Sequence, residues 1–320
     1  MSSKVVVCGA GFLGSHIARV LACATNPIRN VQIASRSPTK LYQKLSETVP
    51  VPERLLPPAS VDITKPESLQ PVFKDASVVV SLVGIMHGTP QDFEQIQWKG
   101  ASNVAEAAKA AGAKLIHISA IGTDANSTIP YARTKALGEA SALEHCPDAT
   151  IIRPSIVFGP EDDFFNRFSK LSRYLPFLPV FGGGTASFQP VYVGDIARAI
   201  EIVARKDPEI EKIVSGQILE AGGPDILTYR EVMETVLKYN NRWRPIISLP
   251  FWIGMLQGTV MERLPINLFT VTRAQVEQLK SDNVVTRVNG DAFPFKTLVE
   301  KYSGSGPLKS VHEILPQYFH

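Results

Sequence analysis

The 320-residue chain is 44% hydrophobic and 20% charged, enough apolar material for one large α/β domain with a smaller lobe, and no low-complexity block reads as disorder. A net charge of +3, without a Lys/Arg run or interleaved aromatics, argues against a nucleic-acid partner. The three cysteines (Cys8, Cys23, Cys146) are far apart and read as reduced thiols, the six histidines show no metal-ligand spacing, and no charge-free apolar run reaches the roughly 18 residues of a membrane span.

The stretch "KVVVCGAGFLGSHIARVLA" (4–22) reads as a buried strand, a glycine turn and a helix with apolar residues at helical spacing. "VQIASR" (31–36) is a second strand, and "LPPASVDIT" (56–64) holds a third, entered through Pro57 and Pro58. "ASVVVSLVG" (76–84) is a fourth, apolar throughout as a strand covered on both faces is. A helix over 103–112 closes at a glycine, and "AKLIHISAIG" (113–122) and "ATIIRPSIVFG" (149–159) supply strands five and six. This alternation predicts an α/β fold, a Rossmann-type doubly wound parallel sheet, with a small C-terminal lobe. After Gly159 the rhythm changes to Pro- and Gly-rich segments and short helices. The predicted division is a Rossmann domain over 1–160, completed by about 189–222, and a substrate or partner lobe over 161–188 and 223–320.

"GAGFLG" places Gly9, Gly11 and Gly14 between a strand and a helix, the context in which G-x-G-x-x-G signals dinucleotide binding. Gly9 serves the tight turn, Gly11 lets the backbone approach a pyrophosphate, and Gly14 lets the helix pack on the strand, with Phe12 and Leu13 counted in the same site. The helix N-terminus adds N–H donors and positive dipole. Where an acidic residue would hold a ribose 2′-hydroxyl, the second strand ends in Ser35, Arg36 and Ser37. A guanidinium there can fork onto a 2′-phosphate, so NADP(H) is favoured over NAD(H). Fold logic offers Asp62 and Ile63 to the adenine, and Leu82, Val83 and Gly84 to the ribose or nicotinamide.

Tyr131 and Lys135 are four apart in "YARTK" and share a helix face after strand five, with Ser119 at the end of that strand. An ammonium beside a phenol lowers the phenol's pKa, and a tuned phenol exchanges a proton as hydride moves to or from a carbonyl carbon. Tyr131, Lys135 and Ser119 are therefore the candidate catalytic residues, and Lys135 can also bond the nicotinamide ribose.

Together, "GAGFLG", the strand-five serine, "YARTK" and "RPSIVFG" resemble the extended and atypical short-chain dehydrogenase/reductase superfamily over about residues 4–225. Extended members usually carry T-G-x-x-G-x-x-G, and here the spacing is one residue shorter, with Cys8 where glycine stands in the family. More narrowly, "HISAIGTDANS", "RPSIVFGPEDDFFNRF", "LPVFGGGTASFQPVYVGDIARAI", "LEAGGPDILTYRE" and "LKSDNVV" are similar to the nucleotide-binding accessory subunit of respiratory complex I and to the SDR-like protein of the mitochondrial ubiquinone-biosynthesis complex. That resemblance implies a mitochondrial protein on the matrix side of the inner membrane, bound NADPH, a membrane protein complex as partner and work connected to ubiquinone. It also implies that Gly9, Gly11 and Gly14 hold pyrophosphate, Arg36 the 2′-phosphate, Tyr131 and Lys135 the nicotinamide ribose, and that Pro154 and Ser155 line the nicotinamide pocket. The complex I cofactor is regarded as structural. The early first strand, without a longer leader, favours a stand-alone or ubiquinone-biosynthesis relative.

Residues 1–46 contain no Asp or Glu but carry six Lys and Arg, which suits mitochondrial import and equally suits a phosphate-binding first βαβ unit. Glu161, Asp162 and Asp163 read as a solvated loop capping the next helix rather than a metal site, with Phe164 and Phe165 closing a cleft or filling the lobe's core. "FGGGTASFQPVYVGD" (181–195) reads as a lid or lobe connection, with Gln189 towards the cleft and Asp195 at a helix N-terminus. "PFWIGMLQGTVMERLPINLF" (250–269) is either a packed helix or an amphipathic segment making peripheral membrane contact. Two functions stay open: an NADP(H)-binding protein with a largely structural cofactor in ubiquinone-related metabolism, or an active oxidoreductase or epimerase on a small carbonyl or quinone-type substrate. An empty docking module is disfavoured by the intact glycine turn.

Overall fold

The computed structural model describes residues 3–265, 267–286 and 294–319. It contains two compact units: residues 3–154 with Val193–Ala221 and 294–307, and Ser155–Tyr192 with Gly222–Thr286 and 308–319.

The first unit is built on seven strands: Ser3–Cys8 (β1), Arg29–Ser35 (β2), Ala59–Ser60 (β3), Ala76–Ser81 (β4), Lys114–Ile118 (β5), Thr150–Pro154 (β6) and Ile218–Ala221 (β7). Their order is β7-β6-β5-β4-β1-β2-β3, every pairing parallel. The chain reverses direction of winding between β1 and β4, and the carboxyl ends flanking that point form the ligand crevice of such sheets. Alternation along the strands sends Val6, Val79, Leu115 and Ile151 to one face, where they pack with Leu69, Phe73, Val104, Ala108 and Ala142 from three helices. Val5, Val7, Ile17, Leu21, Ile196 and Ile200 are also fully buried. Each such aliphatic side chain contributes about 1.5–3 kcal/mol on burial, which is why these strands read as unbroken apolar runs.

Arg29 opens β2 and is fully buried, its guanidinium donating to Glu201 at 2.9 Å. Glu201 also accepts from Arg205, which in turn donates to the Tyr302 carbonyl at 3.0 Å. Together with the burial of Leu298 and Val299, this places the helix Pro294–Tyr302 with the sheet, whereas the sequence reading assigned it to the smaller lobe. Its partner Arg205 lies 97 residues upstream, beyond the reach of a local pattern.

The second unit packs the helices Phe164–Tyr174 and Tyr229–Tyr239 around Phe158, Phe165, Val180, Val232, Met233, Val311 and Leu315. Asp162 does cap the first of these helices, accepting from the Phe165 and Asn166 N–H groups, but it is buried rather than solvated and also accepts from Tyr318. Burial raises its pKa against those donors. Phe165 fills the core. The glycine run is a packed turn: Gly182 has φ +58°, and an added Cβ would meet the Phe251 ring at 2.1 Å. Asp195, in the first unit, stands in the first turn of the helix Val193–Val203 and pairs with Arg198. The helix Phe251–Met261 turns Gly254 and Gly258 inward, while Trp252, Leu256 and Val260 stay 66%, 60% and 49% exposed.

Candidate nucleotide site

The glycine turn lies between β1 and the helix Phe12–Cys23. Gly9 sits at φ +147°, and a Cβ there would stand 2.7 Å from that of Leu82. A Cβ on Gly14 would come within 2.2 Å of the Gly9 carbonyl oxygen, so only glycine lets the helix close on the turn. Gly11 is different: nothing lies within 4 Å of its added Cβ, and it caps the helix without a side-chain partner for the first N–H groups. Those free donors and that open space fit a pyrophosphate, with no acidic residue in the first turn to oppose it. Leu13 is half-buried there, and Phe12 packs edge-on against His16.

At the end of β2, the Ser35 hydroxyl accepts from the Ser37 N–H, and Arg36 is exposed. Asp62 is half-buried, and the bonds from Thr64 to its Oδ1 hold its pKa below the usual range, with a smaller contribution from Arg36. Ile63 packs down towards Gly100, where an added Cβ would meet it at 2.8 Å.

Beyond β4 and β5, Lys135 is 6% exposed and donates to the carbonyls of Val83 at 2.7 Å and Ile118 at 3.0 Å. Burial lowers its pKa to about 8. Its Nζ also stands 3.0 Å from the position of a Gly84 Cβ. Ser119 is 4% exposed, and its hydroxyl has no hydrogen-bond partner among the described residues. Tyr131, on the first turn of the helix Pro130–His145, has its pKa raised to about 12 by burial. The sequence argument expected the lysine to lower it. Desolvation dominates instead, and the ammonium donates to two backbone carbonyls.

The structure thus gathers Gly9, Gly11, Gly14 and Leu82 at one end of the crevice and Val83, Gly84, Ser119, Tyr131 and Lys135 at the other. Pro154 is buried at the end of β6 and accepts from the Ile121 N–H at 3.0 Å. Ser155 falls in the second unit, where its hydroxyl is within 2.9 Å of the Asn283 carbonyl and 2.6 Å of its Oδ1. Gln189 also bonds backbone there, donating to Gly223 and accepting from Val285.

Three participants escaped the sequence reading. Gln97 lies on a π-helical segment, Glu94–Lys99, a distortion often found at functional sites. It accepts from Ile85 N–H and donates to Thr134, tying the loop after β4 to the helix of Tyr131. His117 is 1% exposed, pairs its Nδ1 with Ser81, and leaves Nε2 without a partner among the described residues. Burial, aided by the Lys135 charge, depresses its pKa to about 3, so it is neutral. A histidine inside the apolar run "KLIHIS" was the available signal. Glu139, four residues after Lys135, is buried and held by both arms of Arg153 at 2.9 and 2.5 Å. No cluster able to hold a metal occurs among the described residues.

Residues 5–216 match the NAD dependent epimerase/dehydratase family. The mitochondrial NADH dehydrogenase (ubiquinone) 1 alpha subcomplex subunit 9 of Arabidopsis thaliana is 31% identical over 299 residues, covering 90% of this chain and 71% of that protein. A ceramide reductase of Caulobacter vibrioides is 30% identical over 203 residues, covering 63% of this chain and 61% of that protein. Among solved structures, a dTDP-glucose 4,6-dehydratase from Streptomyces venezuelae with NAD and TYD bound superimposes with a TM-score of 0.70 at 20% identity, covering 98% of this chain and 95% of that one. This last likeness carries the fold.

Proposed function

The chain belongs to the NAD dependent epimerase/dehydratase family, and we propose that it is a mitochondrial, NADP(H)-binding member serving a ubiquinone-related assembly on the matrix side of the inner membrane. In this reading the cofactor is a fixed component of either a complex I-type assembly or a ubiquinone-biosynthesis complex. One observation carries it: the Tyr131 phenol is pushed up to about 12, while the Lys135 ammonium is committed to the Val83 and Ile118 carbonyls. Burial thus moves this phenol further from the near-neutral pKa that proton transfer favours, not towards it.

Gly9, Gly11 and Gly14 would hold the pyrophosphate and Lys135 the nicotinamide ribose. Arg36 is exposed, its guanidinium makes no hydrogen bond or ion pair among the described residues beyond a Coulombic interaction with Asp62, and it supports the choice of NADP(H) by offering its fork to a 2′-phosphate. When bound, the nicotinamide supplies or accepts hydride. Trp252, Leu256 and Val260 repeat every fourth residue on the exposed side of the helix Phe251–Met261, with exposed Leu264 just beyond its end, and support peripheral membrane contact.

The test is NADPH binding and release by the purified chain, with NADH alongside. Tight binding, slow release and a Tyr131→Phe variant that keeps both cofactor and biological function are expected. Fast release with micromolar affinity would count against a fixed cofactor.

A second reading, an active oxidoreductase or epimerase acting on a small carbonyl or quinone-type substrate, is favoured by the buried Ser119 hydroxyl that has no partner among the described residues. That hydroxyl could orient a carbonyl oxygen while Tyr131 gives the proton. Steady NADPH oxidation with a carbonyl panel, abolished by Tyr131→Phe, would establish it over the first.

A further inference from the structure

The second unit carries a pocket of about 220 Å³, smaller than the roughly 300–1,000 Å³ of drug-sized sites. Lys170 and Arg173 project into it from the helix Phe164–Tyr174, and Arg242 reaches it from the turn after the helix Tyr229–Tyr239. Tyr174, 66% exposed, and Phe319 give it aromatic walls.

Cations at the last turn of a helix often only answer its dipole, and that suffices for the position of Arg173. It does not account for Arg242. One nitrogen, Nη1, bonds the Ser169 carbonyl and the Ser172 hydroxyl, each at 3.0 Å, and so pins the group. Its Nε and Nη2 hydrogens have no acceptor among the described residues. No carboxylate lines the pocket or pairs with any of the three cations among the described residues. Asp162 lies behind Tyr318, which donates to it at 2.8 Å. Two helix C-termini contribute about half a negative charge each, so three cations leave a balance of about +2. A fixed guanidinium fork beside two flexible cations is phosphate-recognition chemistry.

We propose that this pocket binds a small phosphate ester, with Arg242 presenting its fork to the phosphate, Lys170 and Arg173 neutralising it, and Tyr174 and Phe319 flanking the organic part. The site lies wholly within the second unit and does not rest on the nucleotide reading.

The full chain, saturated with NADPH to occupy the glycine turn, is titrated calorimetrically with glycerol 3-phosphate at low salt. In parallel it is sedimented with phosphatidylglycerol or phosphatidylcholine vesicles. Saturable binding of glycerol 3-phosphate, weakened at least about tenfold by Arg242→Ala, supports a soluble ester. Sedimentation with phosphatidylglycerol alone, lost in the same variant, supports a lipid headgroup. Because Arg242 also braces the helix, the double variant Lys170→Ala/Arg173→Ala, which removes no side-chain hydrogen bond among the described residues, is expected to show the same loss with NADPH binding unchanged. Absence of both interactions, or binding indifferent to these variants, overturns the proposal.

Discussion

The Nζ of Lys135 donates to the Val83 carbonyl across 2.7 Å, in surroundings whose burial lowers its own pKa to about 8. An unfolded lysine keeps its proton to about pH 10.5. Below pH 8 both states are protonated and the burial penalty acts in full. Between pH 8 and 10.5 the unfolded chain holds a proton that the folded chain has released, so this group makes stability rise with pH. The difference in unfolding free energy between the wild type and Lys135→Met should therefore move by about 3 kcal/mol in favour of the wild type over that window. Urea titrations at stepped pH measure it, and a flat difference would show that the lysine is not shifted.

His117 acts at the other end of the pH scale. Its pKa falls from 6.5 to about 3 because burial penalises the imidazolium, with Lys135 adding to the effect. Above pH 6.5 both states are neutral and its contribution is complete. As pH drops, the unfolded chain gains a proton the folded chain refuses, and stability is lost progressively towards pH 3. From pH 7 to 5 the wild type should lose about 2 kcal/mol more than His117→Asn, which can keep a bond to Ser81. Equal losses would mean that His117 titrates normally in the fold.

These two residues also mark how far sequence alone reaches. The strand runs, the glycine turn and the grouping of Tyr131, Lys135 and Ser119 are written in local patterns that a period of two or of four exposes. The direction of the Tyr131 shift is not local, because it comes from burial in the folded chain, and the partners of the Lys135 ammonium are carbonyls 52 and 17 residues away. Gln97 escaped notice because nothing in "EQIQWK" announces a π-helical segment, and the partner of Ser155 was out of reach because Asn283 lies 128 residues on.

Gly11 and Gly14 should separate binding from folding. Gly14→Ala drives a Cβ to within 2.2 Å of the Gly9 carbonyl oxygen and should cost about 1–3 kcal/mol of stability or more. Gly11→Ala meets nothing within 4 Å at φ −88°, so the chain should keep its stability to within about 0.5 kcal/mol. It should nonetheless lose cofactor affinity, because the methyl occupies the approach to the helix N-terminus. Thermal unfolding and NADPH fluorescence on the same two proteins decide the matter. A Gly11→Ala chain that binds normally would remove the pyrophosphate from this turn.

Arg36 tests the choice of nucleotide. With no carboxylate on Ser35 or Ser37, the guanidinium is the group at the end of β2 able to recognise a 2′-phosphate. Charge-assisted bonds are worth about 1.5–3 kcal/mol, so Arg36→Ala should weaken NADPH by at least about tenfold and leave NADH nearly unchanged. Parallel loss of both nucleotides would instead assign Arg36 to adenine stacking.

Ser119→Ala carries the expectation most unlike an ordinary core mutation. The hydroxyl is 4% exposed and lacks a partner among the described residues, so in the free chain it is a buried polar group with its desolvation uncompensated. Removing it should stabilise the free protein by about 1 kcal/mol, where most substitutions destabilise. If the hydroxyl serves the nicotinamide end of the crevice, the order reverses on binding: NADPH should raise the melting temperature of the wild type more than that of Ser119→Ala. Thermal scans with and without NADPH read both effects. A variant less stable in the free state would reveal an acceptor for Ser119 inside the protein, and the argument for a waiting carbonyl oxygen would fall with it.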